Sequence, residues 1–154
     1  MANTYSQIHI HFVFAVKYRR ALIDPSWEVE LHKYIAGIIQ AEHEHKLLAI
    51  NGMPDHIHIL IGMRPIQSVS DLMKEVKECS SRWINKKGFT NGKFNWQGGF
   101  GAFSLGKKDV PKAIAYILNQ KEHHARKTTM EEYIEFLKFH EIDYDERYVF
   151  HEPL

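Results

Sequence analysis

The chain has 154 residues, 44% hydrophobic and 25% charged, enough for one domain with a full-sized core and with no need of a second. A single cysteine, Cys79, excludes an internal disulfide framework and a multi-cysteine zinc site. With no secretory signal and no run of about 18 apolar residues to span a membrane, the expectation is a soluble cytoplasmic protein with no membrane partner.

The net charge of +1 conceals an asymmetry, because residues 131–154 hold eight acids and two bases while residues 1–130 hold 18 bases and 11 acids. The body is basic and the tail acidic. Lys17-Tyr18-Arg19-Arg20, Arg82 with Lys86 and Lys87, and Lys107-Lys108 with Lys112 could follow a phosphate backbone; charge alone fits solvated faces better.

In chain order, residues 5–16 read as a strand with Ile8, Ile10, Phe12, Phe14 and Val16 on one face. Asp24-Pro25 looks like the cap and first residue of a helix carrying Trp27, Leu31, Tyr34, Ile35 and Ile38 at helical spacing. Residues 46–50 and 56–63 form a predicted hairpin across the Gly and Pro of 51–55. A helix over 68–85 follows, with Val69, Leu72, Met73, Val76, Ser80, Trp83 and Ile84 in one stripe. After a glycine-rich stretch, a strand is expected at 101–105. A helix then runs from Asp109 to about residue 126, and Thr129-Met130-Glu131-Glu132 has the form of a capping box opening a last helix.

Two constellations carry chemistry. Within Pro54-Asp55-His56-Ile57-His58-Ile59-Leu60-Ile61, strand alternation puts His56 and His58 on one face and the isoleucines on the other, so two imidazoles could reach one divalent ion. Taken alone, in a chain with 11 histidines, the pair reads better as surface histidines on a half-buried strand. On the helix after Asp109, Val110, Ile114, Ile117 and Leu118 form the apolar stripe, whereas Tyr116, Gln120 and His123 cluster elsewhere. A phenol and an amide one turn apart could face one partner, or simply face solvent.

Met53-Pro54-Asp55-His56-Ile57-His58-Ile59-Leu60, Trp96-Gln97-Gly98-Gly99-Phe100-Gly101-Ala102-Phe103, and Tyr116-Ile117-Leu118-Asn119-Gln120 with His123-His124 together resemble the single-tyrosine HUH transposases of the bacterial insertion-sequence 200/605 family. Lys17-Tyr18-Arg19-Arg20 also fits. The resemblance covers most of the chain, in the family's order and at comparable spacing. It implies a single HUH transposase domain over 1–154 with an acidic C-terminal tail. The implied fold is α+β, an antiparallel sheet with helices packed against it, ferredoxin-like or RNA-recognition-motif-like, and dimeric.

By the same resemblance, His56, His58 and Gln120 match the metal ligands and Tyr116 the nucleophile. The implied activity is a metal-dependent endonuclease and strand transferase, with Mg2+ or Mn2+ as cofactor. It cleaves and rejoins single-stranded DNA through a 5′-phosphotyrosine intermediate and recognises hairpins. The alternative is a catalytically silent hairpin-binding relative. His9-Ile10-His11 lacks the Pro-Asp turn and reads as a sheet-face or substrate-side pair. Two-histidine phosphoesterases need His-x-Thr/Ser motifs that neither pair has, and replication initiators and relaxases normally carry further domains.

Overall fold

The computed structural model describes residues 3–123 and 128–142; the expected helix end near 126, His124 and the acidic stretch from 143 lie outside the described residues. Four strands, β1 (His9–Ala15), β2 (Lys46–Met53), β3 (His56–Gly62) and β4 (Gly101–Leu105), pair antiparallel in the order β2-β3-β1-β4. With α1 (Pro25–Ala41) joining β1 to β2 and α2 (Val69–Lys87) joining β3 to β4, the connectivity is βαββαβ, the ferredoxin-like arrangement. The expected α+β class is the one observed.

The local signals explain where the helices begin. Asp24 accepts a hydrogen bond from the Ser26 amide at 2.9 Å with Pro25 as the first helical residue, and Ser68 caps α2 by accepting from Asp71 N at 3.0 Å. Alternation then sorts the strands by face. Phe12, Phe14, Ile57, Ile59 and Ile61 pack against Leu31, Ile35 and Ile39 of α1 and Leu72, Met73 and Val76 of α2. Burying each such side chain contributes roughly 1.5–3 kcal/mol. This core fixes the register of β3, because a slip by one residue would drive His56 and His58 into it.

The opposite face is covered by α3 (Val110–Leu118) and α5 (Thr129–Phe139), with the short α4 (Gln120–His123) after α3. Ile117 packs on Ala49 and Leu60, and Leu137 with Phe136 packs on Val13, Ala15 and Phe103. Among the described residues no helix is long and apolar enough to cross a membrane.

Three boundaries differ from expectation. β1 starts at His9 instead of residue 5, because its partners end there: His9 lies opposite both Gly62 and Leu105, and Tyr5 is 91% exposed. β2 runs on to Met53, which narrows the reversal to Pro54-Asp55. Gly52 permits this close approach, since a Cβ there would lie 2.2 Å from the His56 carbonyl oxygen. The expected single helix after Asp109 breaks at Asn119, whose φ of −96° and ψ of 19° are not helical, and the Asp109 side chain caps nothing.

Candidate active site

β3 is an inner strand, bonded to β1 on one flank and β2 on the other, so side chains alternating along it are held rigidly. His56 and His58 project under α3 and α5, both fully buried, with ring centroids 5.0 Å apart. Each ring is turned by a second group. His56 Nδ1 lies 2.8 Å from Asp55 Oδ1, and the other oxygen of Asp55 accepts the Thr129 hydroxyl at 2.8 Å. His58 Nδ1 lies 2.8 Å from Nε2 of His11. Both Nε2 atoms are left facing the covered side, as outer partners commonly arrange for imidazole ligands. His11 therefore belongs to the sheet face, 4% exposed and edge-on to Phe136 of α5.

Ile117 anchors α3, and its neighbour Tyr116 consequently packs between His58 and Phe136, with ring centroids 5.8 and 5.5 Å away. Beyond the break at Asn119, Gln120 is fully buried and its Oε1 lies 3.3 Å from His56 Nε2. Neither residue is the solvent-facing side chain that the helix read alone allowed. All four residues singled out in the sequence come together within one chain.

A fifth residue joins them that sequence reasoning missed. Glu132 on α5 is 3% exposed; its Oε1 is 2.8 Å from His58 Nε2 and 3.4 Å from His56 Nε2. Its Oε2 accepts the Tyr116 hydroxyl and, at 3.3 Å, the Gln120 amide. The cap lies one residue earlier than the Thr129 box predicts. Thr128 is the actual N-cap, accepting from Glu131 N at 3.1 Å, which frees Thr129 and Glu132 to face the site. One signal was available: Glu132 lies one turn from Phe136 and beside Tyr133, an acid at the edge of an apolar stripe, where burial demands a partner.

Burial opposes charge on His56, but hydrogen bonds and charges from Asp55 and Glu132 outweigh it and hold the imidazole up to about 9. Asp55 is lowered despite its burial, through His56 and Thr129. His11 is pushed down to about 3 by burial and by His58, so it stays neutral and can accept a proton-bearing His58 Nδ1. The Tyr116 phenol is raised above its usual range by burial and by the adjacent Glu132 carboxylate. The buried Glu132 carboxylate and the half-buried Asp55 thus flank the histidine pair and draw positive charge to it.

The donors suit a divalent cation. His56 and His58 Nε2 and one Glu132 oxygen lie within 4.8 Å of one another, and the Gln120 amide oxygen stands beside them. This mixed nitrogen and oxygen set is compatible with Mg, Mn or Zn, so the donors fit a metal ion without choosing which.

A ferredoxin-like sheet with a buried histidine pair, an amide and a tyrosine on one face defines a family: the chain belongs to the IS200-like transposases, whose family model matches residues 4–120. The ISDra2 transposase TnpA of Deinococcus radiodurans is 32% identical over 76 residues, 49% of this chain and 54% of that one. The chain thus matches about half the length of this curated relative.

Two solved structures share the fold. A Deinococcus radiodurans R1 protein described as a transposase superposes with a TM-score of 0.59 at 23% identity, over 78% of this chain and 95% of that one. A REP-associated tyrosine transposase bound to a REP hairpin gives a TM-score of 0.61 at 16% identity, over 80% of this chain and 73% of that one. The matched family segment ends at Gln120, before α5 and Glu132.

Proposed function

We propose that this chain cuts and rejoins single-stranded DNA through a 5′-phosphotyrosine on Tyr116. In this reading His56, His58 and Gln120 hold Mg2+ or Mn2+, and Glu132 joins them. The supporting observation is that a phenol hydroxyl and two imidazole Nε2 atoms meet at one buried carboxylate. A cation bound by these donors supplies positive charge beside the scissile phosphate, where negative charge grows in the transition state.

The chain's own groups account for the remaining requirements. The Tyr116 oxygen bonds to phosphorus as the bond from phosphorus to the 3′-oxygen breaks, leaving a free 3′-hydroxyl. The phenolic proton passes to Glu132 Oε2, which already accepts the hydroxyl's hydrogen bond, while the departing 3′-oxygen, on the far side of the phosphorus, takes its proton from water. Asp55, Thr129 and His11 keep the two rings oriented while this happens. Rejoining reverses the steps, since the covalent bond conserves the energy of the one that was cut.

The inferred partners are single-stranded DNA with hairpins and a second copy of the chain, with residues 1–154 acting as one HUH domain with its acidic tail. The fold relative bound to a REP hairpin supports the first. So does a groove on the outer side of α2, where Arg82, Lys86 and Lys93 stand beside Asn85, Asn95 and Glu78. Its cations can meet backbone phosphates and release their counterions.

Labelled oligonucleotides bearing a hairpin, incubated with protein and Mg2+ or Mn2+, should give cleavage and a protein-linked fragment. Tyr116→Phe should abolish the adduct while largely preserving retardation of the DNA. A silent binding relative would retard the hairpin with no cleavage in either metal.

A further inference from the structure

Lys121 follows Gln120 directly, and its ammonium is held by acceptors of the chain although the side chain is half exposed. It donates to both oxygens of Glu28 at 2.9 and 3.1 Å and to the Gly52 carbonyl at 2.7 Å, with Asn51 Oδ1 at 3.4 Å. Glu28 sits in the first turn of α1 and its side chain is only 11% exposed. A carboxylate so withdrawn from water needs a counterion, and the chain delivers one from 93 residues away.

The tether brackets the helix break. On its near side, Asn51 Nδ2 donates to the Leu118 carbonyl at 3.1 Å; on its far side, Gly52 and Glu28 hold Lys121. Gln120 is thus fixed from both directions by the end of β2. Gly52 in turn lies opposite Ile57, the residue between His56 and His58, so the same stretch of β2 registers the amide and the imidazoles. A continuous helix would place Gln120 through its own hydrogen bonds. Here the break removes that constraint and the lysine replaces it.

We propose that Lys121 is a positioning residue, which pins the segment after Asn119 so that the Gln120 amide faces His56. It touches neither DNA nor cation, and acts through the placement of α4. An ordinary salt bridge would stabilise the whole fold and leave the local geometry unchanged, so the two roles are separable.

The test compares wild type, Lys121→Met and Lys121→Arg by three measurements: Mn2+ affinity from the paramagnetic resonance of free ion, amide hydrogen exchange, and urea unfolding. Lys121→Met should weaken Mn2+ binding about tenfold, the lower end of what loss of an orienting contact costs at metal sites. It should also speed exchange in peptides covering 113–123, with the peptides of the α2 core, which Lys121 does not touch, unchanged. Lys121→Arg can reach the same oxygens and should restore both. Wild-type behaviour of Lys121→Met at 113–123, or a uniform rise in exchange with no rescue by arginine, overturns the proposal. The affinity arm rests on the metal reading given above, whereas the exchange arm does not. Failure of wild type to bind Mn2+ would sink that reading and leave exchange to decide the role of Lys121.

Discussion

Tyr116 and His58 are joined through a single carboxylate: Glu132 accepts the tyrosine hydroxyl with one oxygen and lies 2.8 Å from the histidine's Nε2 with the other. The nucleophile and the cation site are therefore not independent parts. Anything that moves α5 moves both.

Glu132→Gln keeps the shape of the side chain and removes its charge. We expect Mn2+ affinity to fall by about tenfold or more, measured by calorimetry, and adduct formation to fall with it. The Tyr116 phenol, held up by burial and that carboxylate, should shift back toward its ordinary value. Unchanged metal affinity would remove Glu132 from the donor set.

Metal binding should depend on pH with a defined sign. His56 holds its proton up to about 9 in the metal-free chain, against 6.5 for the free side chain. The stability this lends is fully present below 6.5 and is lost as pH rises through about 9. A cation must displace that proton, so affinity should rise with pH up to about 9 and then level off. Calorimetry at pH 7.5 in buffers of different ionisation enthalpy should show a proton released on binding. Affinity that is flat across this range would contradict the assignment of His56.

His11→Phe retains an aromatic ring against Phe136 but gives His58 Nδ1 no acceptor. Mn2+ binding should weaken by roughly 10–100-fold, as for other losses of an outer partner to a ligating histidine. His11→Gln can still accept and should lose less. Equal losses in the two variants would mean that packing, and not the hydrogen bond, is what His11 provides.

Gly52→Ala places a Cβ 2.2 Å from the His56 carbonyl oxygen, a contact with backbone that cannot rotate away. The strands must separate locally, at a cost of about 1–3 kcal/mol or more in urea unfolding. Gly92→Ala, where nothing lies within 4 Å, serves as the control and should change stability little.

The sequence made some of this visible and hid the rest for physical reasons. His56 and His58 were legible because a strand with period 2 and isoleucines between them leaves the histidines one face. Tyr116 and Gln120 were legible as the residues left over when the apolar stripe of α3 is removed. Their burial was not, because α5 arrives from outside the helix and covers them. Glu132 was concealed by an adjacent threonine pair: with Thr128 and Thr129 both able to cap, the box could be drawn in two registers, and only one releases the acid. The break at Asn119 has no proline or glycine to announce it. It is stabilised from a distance by Asn51 and Lys121, contacts that no local pattern encodes.

Pairing of two chains is an expectation that the single-chain geometry does not require, since the tyrosine and both histidines already meet. Light scattering should nonetheless give twice the mass of one chain in the presence of hairpin DNA. A strictly single-chain complex that still cleaves would confine the chemistry to one copy.

The most direct measurement maps the covalent link. Wild-type protein is allowed to react with an internally labelled single-stranded oligonucleotide in Mg2+ or Mn2+, trapped in denaturant, digested and analysed by mass spectrometry. The nucleotide mass should sit on the peptide containing Tyr116, attached through the 5′-phosphate of the downstream fragment. Attachment to another tyrosine, or cleavage with no adduct at all, would contradict the assignment of Tyr116 as the nucleophile.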